Sequence, residues 1–179
     1  MIFRIVLLSA ILCVSVSCNN RNVRKEVVRM INSEITIPHL YDAIFNGKDT
    51  VMHISEDAYF RMIILFDSTF CAYCHFPEME VWNELILYST ATISKFVPIF
   101  IFCPGQGKVS ALKLTLKQSH FKWPLFIDEN DEFLKRNTVI PQDSRYHTFL
   151  LNSENRIVLV GNPVGNDALW ALYKKVIEQ

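Results

Sequence analysis

Apolar residues in this chain fall into short unbroken runs, separated by stretches where they recur every three or four positions. Met62 to Phe66 (MIILF) and Phe96 to Cys103 (FVPIFIFC) are unbroken runs of strand length. Such runs suit strands covered on both faces, because a strand with one wet face alternates instead. Between them Met79, Trp82, Leu85 and Ile86 recur at helical spacing and predict one apolar stripe. Pro77 falls in the first turns of that helix, where it either starts the regular part or kinks it. Pro104-Gly105 closes the second run, and Val109 to His120 follows as a helix with Val109, Leu112 and Leu116 on one face. Trp123 to Asp128 (WPLFID) is a short strand ending in a turn, and Phe133-Leu134 marks a short amphipathic helix. Thr148 to Leu151 (TFLL) and Ile157 to Val160 (IVLV) flank polar Asn152-Ser153-Glu154-Asn155, which is a hairpin signal. Asn166 to Ile177 closes the chain as a helix, with Leu169, Trp170, Leu172, Tyr173 and Val176 as its apolar side. Strands alternating with helices, then a terminal hairpin, predict an α/β fold with a mixed sheet over residues 35–179.

The first residues follow a different pattern. A short positive start ending in Arg4 precedes an uncharged apolar run, Ile5 to Val16. About a dozen residues match a signal-peptide core and fall short of a bilayer span. The run ends in Ser15-Val16-Ser17-Cys18, followed by polar Asn19 and Asn20. Small residues before a cysteine, just after an apolar core, resemble the lipobox of bacterial lipoproteins. That resemblance implies a signal peptide over residues 1–17 and a lipid on Cys18. It also implies a cell-envelope location, either periplasm-facing or at the outer membrane. Residues 19–34 are polar and charged, with Val23, Val27, Val28 and Ile31 loosely helical in spacing. They are expected to be a tether leading into a short helix and to contribute neither strand nor core helix. Pro38 breaks that pattern, and Asn46-Gly47 reads as a turn.

Composition narrows the function classes. Half of the 179 residues are apolar, so the chain has the material for a core. Eighteen basic and eighteen acidic residues cancel, which argues against a nucleic-acid or polycation partner. Five cysteines remain to be sorted. Cys13 lies inside the signal, Cys18 is the lipidation candidate, and Cys103 ends a buried strand, where a thiol usually packs inertly. Cys71 and Cys74 form a C-x-x-C between a strand and a helix.

Those residues resemble the thioredoxin-like domains of the TlpA/redoxin type over roughly residues 50–179. Phe66-Asp67-Ser68-Thr69-Phe70-Cys71-Ala72-Tyr73-Cys74 resembles the family's strand end and redox loop. Trp123 to Asp128 is similar to its F-P-V-x-x-D segment, Thr148 to Asn152 to its T-F-L-I-D strand, and Arg156 to Gly161 to its return strand. The resemblance implies a thioredoxin-like fold and thiol–disulfide exchange with exported protein thiols or disulfides. It also implies an electron donor and no cofactor. Three departures alter the site. Phe70 replaces the usual Trp. Tyr146 falls where the family's cis-proline faces the disulfide, so the substrate-facing loop is expected to differ. No carboxylate lies within Met62–Phe66, which leaves Asp67 and His75 as the nearest proton acceptors or tuning groups.

Exchange needs a thiolate nucleophile and a second thiol that resolves the mixed disulfide. A helix start favours the thiolate through its unpaired N–H groups and dipole, which assigns attack to Cys71 and resolution to Cys74. A purely structural disulfide here closes a very small ring and removes little entropy from the unfolded chain. Cys71-Ala72-Tyr73-Cys74-His75 also spells the c-type haem signature, but in an α/β context instead of a helical one. Zinc needs about four ligands, and the motif supplies three. A peroxidatic site would match Ser68 before Cys71, but Ile64 stands at its proline position. His53, His120 and His147 show no ligand spacing, and Trp82, Trp123 and Trp170 are read as core. The competing function is a non-catalytic thioredoxin-fold lipoprotein that binds a partner through the redox-loop face.

Overall fold

The structure, a computed structural model, describes residues 21–37, 42–51, 58–67, 76–92, 95–104 and 107–179. Residues 21–30 are helical (α1). A hairpin follows, β1 (Asp42–Phe45) and β2 (Lys48–Val51), and then β3 (Phe60–Phe66). A 3-10 segment, Phe76–Trp82, runs into α2 (Asn83–Ala91), so the expected helix begins in the tighter form around Pro77. The chain continues through β4 (Phe96–Phe102), α3 (Val109–Gln118), β5 (Leu125–Ile127) and α4 (Glu132–Arg136). A 3-10 turn at Ser144–Tyr146 leads into β6 (Thr148–Leu151), β7 (Ile157–Val160) and α5 (Asp167–Ile177).

The strands form one sheet in the order β2-β1-β5-β4-β3-β6-β7. Parallel β3, β4 and β5 occupy its centre, with β1 antiparallel to β5 and β6 antiparallel to β3. The alternation of side chains along the two central strands sorts the core into two layers. Phe60, Met62, Ile64, Phe96, Phe100 and Phe102 face one side and meet Met79, Trp82, Leu85, Leu112, Leu116, Tyr173 and Ile177. Ile63, Leu65, Ile99, Ile101 and Cys103 face the other and meet Met30, Phe133, Tyr146, Phe149 and Leu151. This explains the unbroken apolar runs: both faces of β3 and β4 are covered. Asn166 caps α5 by accepting from the Leu169 N–H at 3.0 Å. Within α5, Tyr173 and Ile177 are buried, whereas Leu172, expected on the apolar side, is exposed. Trp82 is buried, and Trp123 and Trp170 are partly buried at the margin of the same core.

The N-terminal segment departs from the expected tether. Met30 and Ile35 are fully buried, with Val23 and Val27 packed against the same cluster, while Val28 and Ile31 point outward. The buried face of α1 is therefore Val23-Val27-Met30. The expectation that residues 19–34 add no core helix is corrected: a helical turn that covers an open sheet face buries area no loop would. Residues 32–35 also run along the start of β7. The Asn32 N–H donates to the Ile157 carbonyl at 2.8 Å, and the Ile157 N–H donates to Ser33 at 3.0 Å. The β1–β2 hairpin was foreseen only as its Asn46-Gly47 turn. Gly47 has φ 72° there and lies against the Lys113 backbone so closely that a Cβ would collide, so the position requires glycine.

Candidate functional site

The parallel strands bring three side chains to one end of the sheet. Asp67 follows β3, Cys103 follows β4 and Asp128 follows β5. Backbone bonds carry the alignment past the strand ends: the Cys103 N–H donates to the Phe66 carbonyl at 2.8 Å and the Asp128 N–H to Phe102 at 2.9 Å. On the other flank of β3, the Leu65 N–H donates to the His147 carbonyl at 2.9 Å, which sets His147 beside Asp67. The carboxyl ends of parallel strands are where α/β sheets place their chemistry.

His147 is buried and Asp67 partly buried, with His147 Nδ1 3.3 Å from Asp67 Oδ2. This is an ion-pair distance without hydrogen-bond alignment. The other ring nitrogen, Nε2, lies 3.0 Å from the Pro141 carbonyl oxygen. Asp67 was foreseen as a proton acceptor; His147 was not singled out. Its partner lies eighty residues away, so spacing along the sequence could not reveal the pair.

Cys103 is a fully buried free thiol. Its Sγ is 3.9 Å from Asp128 Oδ2. Burial, and then the carboxylates of Asp128, Asp131 and Asp67, hold this thiol far above the ordinary cysteine range. It is a packing thiol with almost no thiolate, as its place at a buried strand end suggested. Asp128 has a structural duty of its own: its two oxygens accept from the Glu132 and Phe133 N–H groups at 2.9 Å each and so cap α4.

Tyr146, expected in the substrate-facing loop, is buried in the 3-10 turn before β6 and packs with the second core layer. Just outside it, Asp143 and Arg145 form a bidentate pair, and the guanidinium holds the Asp143 carboxyl below its usual range. The remaining foreseen site residues, Phe70, Cys71, Ala72, Tyr73, Cys74 and His75, lie outside the described residues, as does Cys18. Residues 68–75 join Asp67 at the end of β3 to the helical segment that starts at Phe76.

An open cleft of about 450 Å³ lies on the far side of Asp128, between the β1–β2 hairpin and α3. Asp42, Asp49, Asp128 and Glu129 line it, and Lys113 crosses it to Asp49 at 2.7 Å. This cleft borders the hairpin and does not include the Asp67–His147 pair. Among the described residues no group of three or more His, Cys, Asp or Glu side chains is gathered as a metal ion would require. Nor is any described helix long and apolar enough to cross a membrane.

No family model matches this sequence, and no curated protein matches it. Solved structures do. Bacterioferritin comigratory protein from Xanthomonas campestris, studied for alkyl peroxide reduction, superposes with a TM-score of 0.53 at 15% identity, covering 82% of this chain and 99% of its own. A candidate protein disulfide isomerase from Bacteroides thetaiotaomicron gives 0.54 at 18% identity, covering 83% and 88%. A candidate thiol:disulfide interchange protein DsbE from Chlorobium tepidum gives 0.50 at 13% identity, covering 68% and 82%. The chain has the thioredoxin-like fold that these proteins share.

Proposed function

We propose that this thioredoxin-fold chain is a thiol–disulfide oxidoreductase of the bacterial cell envelope, held at the membrane by a lipid on Cys18. The observation that carries the reading is the place of the C-x-x-C. Cys71 and Cys74 fall in the nine residues between the carboxyl end of central strand β3 and the helical segment from Phe76. A thiol ahead of a helix start gains thiolate character, and a partner thiol three positions on is within reach to resolve what it attacks.

In this reading the Cys71 thiolate attacks one sulfur of a client disulfide. A mixed disulfide forms and the client's other sulfur leaves as a thiolate. Cys74 then loses its proton and attacks the Cys71 sulfur, which releases the second client thiolate. The client has gained two electrons, and the Cys71–Cys74 disulfide that remains must be reduced by a separate thiol donor before the next turn. Cys103 takes no part, because its thiol stays protonated and buried. The partners are exported proteins and that donor.

Burial of Tyr146 at the position that faces the disulfide in related domains favours a second reading, a binding module without turnover. One experiment separates the two. Insulin reduction is followed together with the reduction potential of the pair, and Cys74→Ser is used to trap clients. Turnover, trapped mixed disulfides and a potential between about −270 and −120 mV are expected of an oxidoreductase. No turnover and no trapped client would leave the binding module.

A further inference from the structure

Helix α1 has two faces of different chemistry. Val23, Val27 and Met30 pack inward. At about 100° per residue the opposite arc carries Arg21, Arg24, Lys25, Val28 and Arg29, and each of these is exposed. Among residues 21–30 Glu26 is the sole carboxylate. It is engaged by Arg29 at 2.8 Å, and Arg29 also donates to the Val139 carbonyl at 3.3 Å. Among the described residues no carboxylate is joined to Arg21, Arg24 or Lys25. Val28 stands in the middle of these cations and is 67% exposed, and Ile31, just beyond the helix, is exposed as well. The cations beyond the end of α1 are occupied: Arg156 lies near Glu34 and Glu154, and Lys135 and Arg136 lie near Glu132. The unpaired positive charge is therefore gathered in the first turns of α1. A solvated helix face usually mixes both signs, whereas this one carries a single sign in a chain with no net charge.

We propose that the outward face of α1 is a membrane-contacting surface, on which Arg21, Arg24 and Lys25 meet the phosphates of anionic phospholipid headgroups and Val28 sits among them at the interface. The placement rests on the lipid on Cys18 proposed above. Arg21 is three positions after Cys18, and three residues extend at most about 11 Å. An anchored chain therefore holds the first turn of α1 at a distance on the order of the Debye length, about 8–10 Å. Within that range an anionic surface attracts Lys and Arg, each of which adds about fivefold to partitioning, so that three add about a hundredfold. Long stems let the charged heads reach phosphate oxygens while an apolar neighbour such as Val28 enters the headgroup boundary. With the lipid retaining the chain, the role of this surface is orientation. The sheet face that α1 covers turns towards the bilayer, and α2, α3 and α5, which pack on the other face, turn away from it.

The test uses the full chain reconstituted in vesicles of phosphatidylcholine alone or of phosphatidylcholine mixed with phosphatidylglycerol. An amine-reactive reagent is applied, and mass spectrometry reads Lys25 against Lys175, an exposed control on α5 at the opposite face of the sheet. Modification of Lys25 relative to Lys175 should fall at least about threefold when phosphatidylglycerol is included. It should recover in about 1 M salt, where the screening length shrinks to about 3 Å. Arg21→Gln with Arg24→Gln changes exposed positions, leaves the buried stripe intact and should remove most of the fall. An equal ratio on both vesicles, or a fall that survives high salt or the double substitution, would overturn the surface. So would protection of Lys25 by soluble polyglutamate without protection by phosphatidylglycerol, which would assign the face to an acidic protein instead. Retention on phosphatidylcholine vesicles reads the anchor separately. A chain that stays on both vesicles with Lys25 equally reactive overturns the surface and leaves the anchor. A chain that leaves phosphatidylcholine yet shows the phosphatidylglycerol-dependent fall overturns the anchor and leaves the headgroup contact.

Discussion

Replacing Met30 with alanine should destabilise the whole domain, although the residue lies only a few positions from the start of the described chain. Its side chain is 0% exposed and belongs to the cluster that includes Ile35, Ile63, Phe133 and Phe149. Truncating a buried methionine removes its transfer free energy and leaves a cavity that its neighbours close incompletely, at a cost of about 3 kcal/mol. Against a net stability of roughly 5–15 kcal/mol that is a substantial fraction. For a domain of this size it corresponds to a fall in Tm of about 6–12 °C. Urea unfolding followed by the fluorescence of Trp82, Trp123 and Trp170 gives the value directly, and an unchanged slope would show that two-state behaviour is retained. Val28→Ala is the internal control. That side chain, two positions away, is 67% exposed and should cost less than about 0.5 kcal/mol. If Met30→Ala unfolded at the wild-type midpoint, α1 would not be part of the core and the tether expected from the sequence would be reinstated.

Three further outcomes are expected. Burial holds both the Cys103 thiol and the Tyr173 phenol above their ordinary ranges, so each keeps its proton longer when folded than when unfolded. Their contribution is therefore complete at neutral pH. It is lost from about pH 8.5 for Cys103 and about pH 10 for Tyr173, at up to about 1.4 kcal/mol per pH unit each. Tyr173→Phe should flatten the upper part of a plot of unfolding free energy against pH, at a neutral-pH cost of about 1 kcal/mol for the lost 2.8 Å bond to the Gly161 carbonyl. A plot unchanged above pH 10 would refute the assignment. Asn137→Ala should cost about 2–3 kcal/mol in denaturant unfolding, because its amide exchanges two bonds of 2.8 Å with the Thr36 backbone and gives a third to Phe133. A loss below about 0.5 kcal/mol would mean that water takes its place. Cys18→Ser should abolish incorporation of labelled fatty acid, and label that persists would remove the lipid anchor from the proposal.

Legibility in the sequence followed the range over which each signal acts. The central strands were plain because MIILF and FVPIFIFC are buried on both faces and carry an unbroken apolar signature. The β1–β2 hairpin left only its turn, because DAIF and KDTV are short, carry three charges and have just Ala43 and Ile44 described as buried. In α1 the apolar residues outnumber those that pack. The sequence offered Val28 and Ile31 as well as Val23 and Val27, and Met30 was passed over. Which stripe faces inward is decided by the open sheet face, which is built from residues far along the chain. The same holds for the site. The C-x-x-C is a local motif and could be recognised without a structure, and Asp67 was named because it stands close to it in the sequence. His147 becomes meaningful once β6 is laid antiparallel to β3.

The clasp between the N-terminal segment and β7 has a consequence for the order of events in a living cell. Asn32 and the Arg156 guanidinium that donates to its carbonyl are 124 positions apart. A ribosome adding about 5–20 residues per second needs roughly 6–25 s to traverse that interval. The segment made early is thus among the last to find its place, and until the terminal hairpin exists Met30 and Ile35 have no complete surface to cover. An incomplete chain therefore stays open along this seam. The seam closes only when the final strands arrive to complete these contacts.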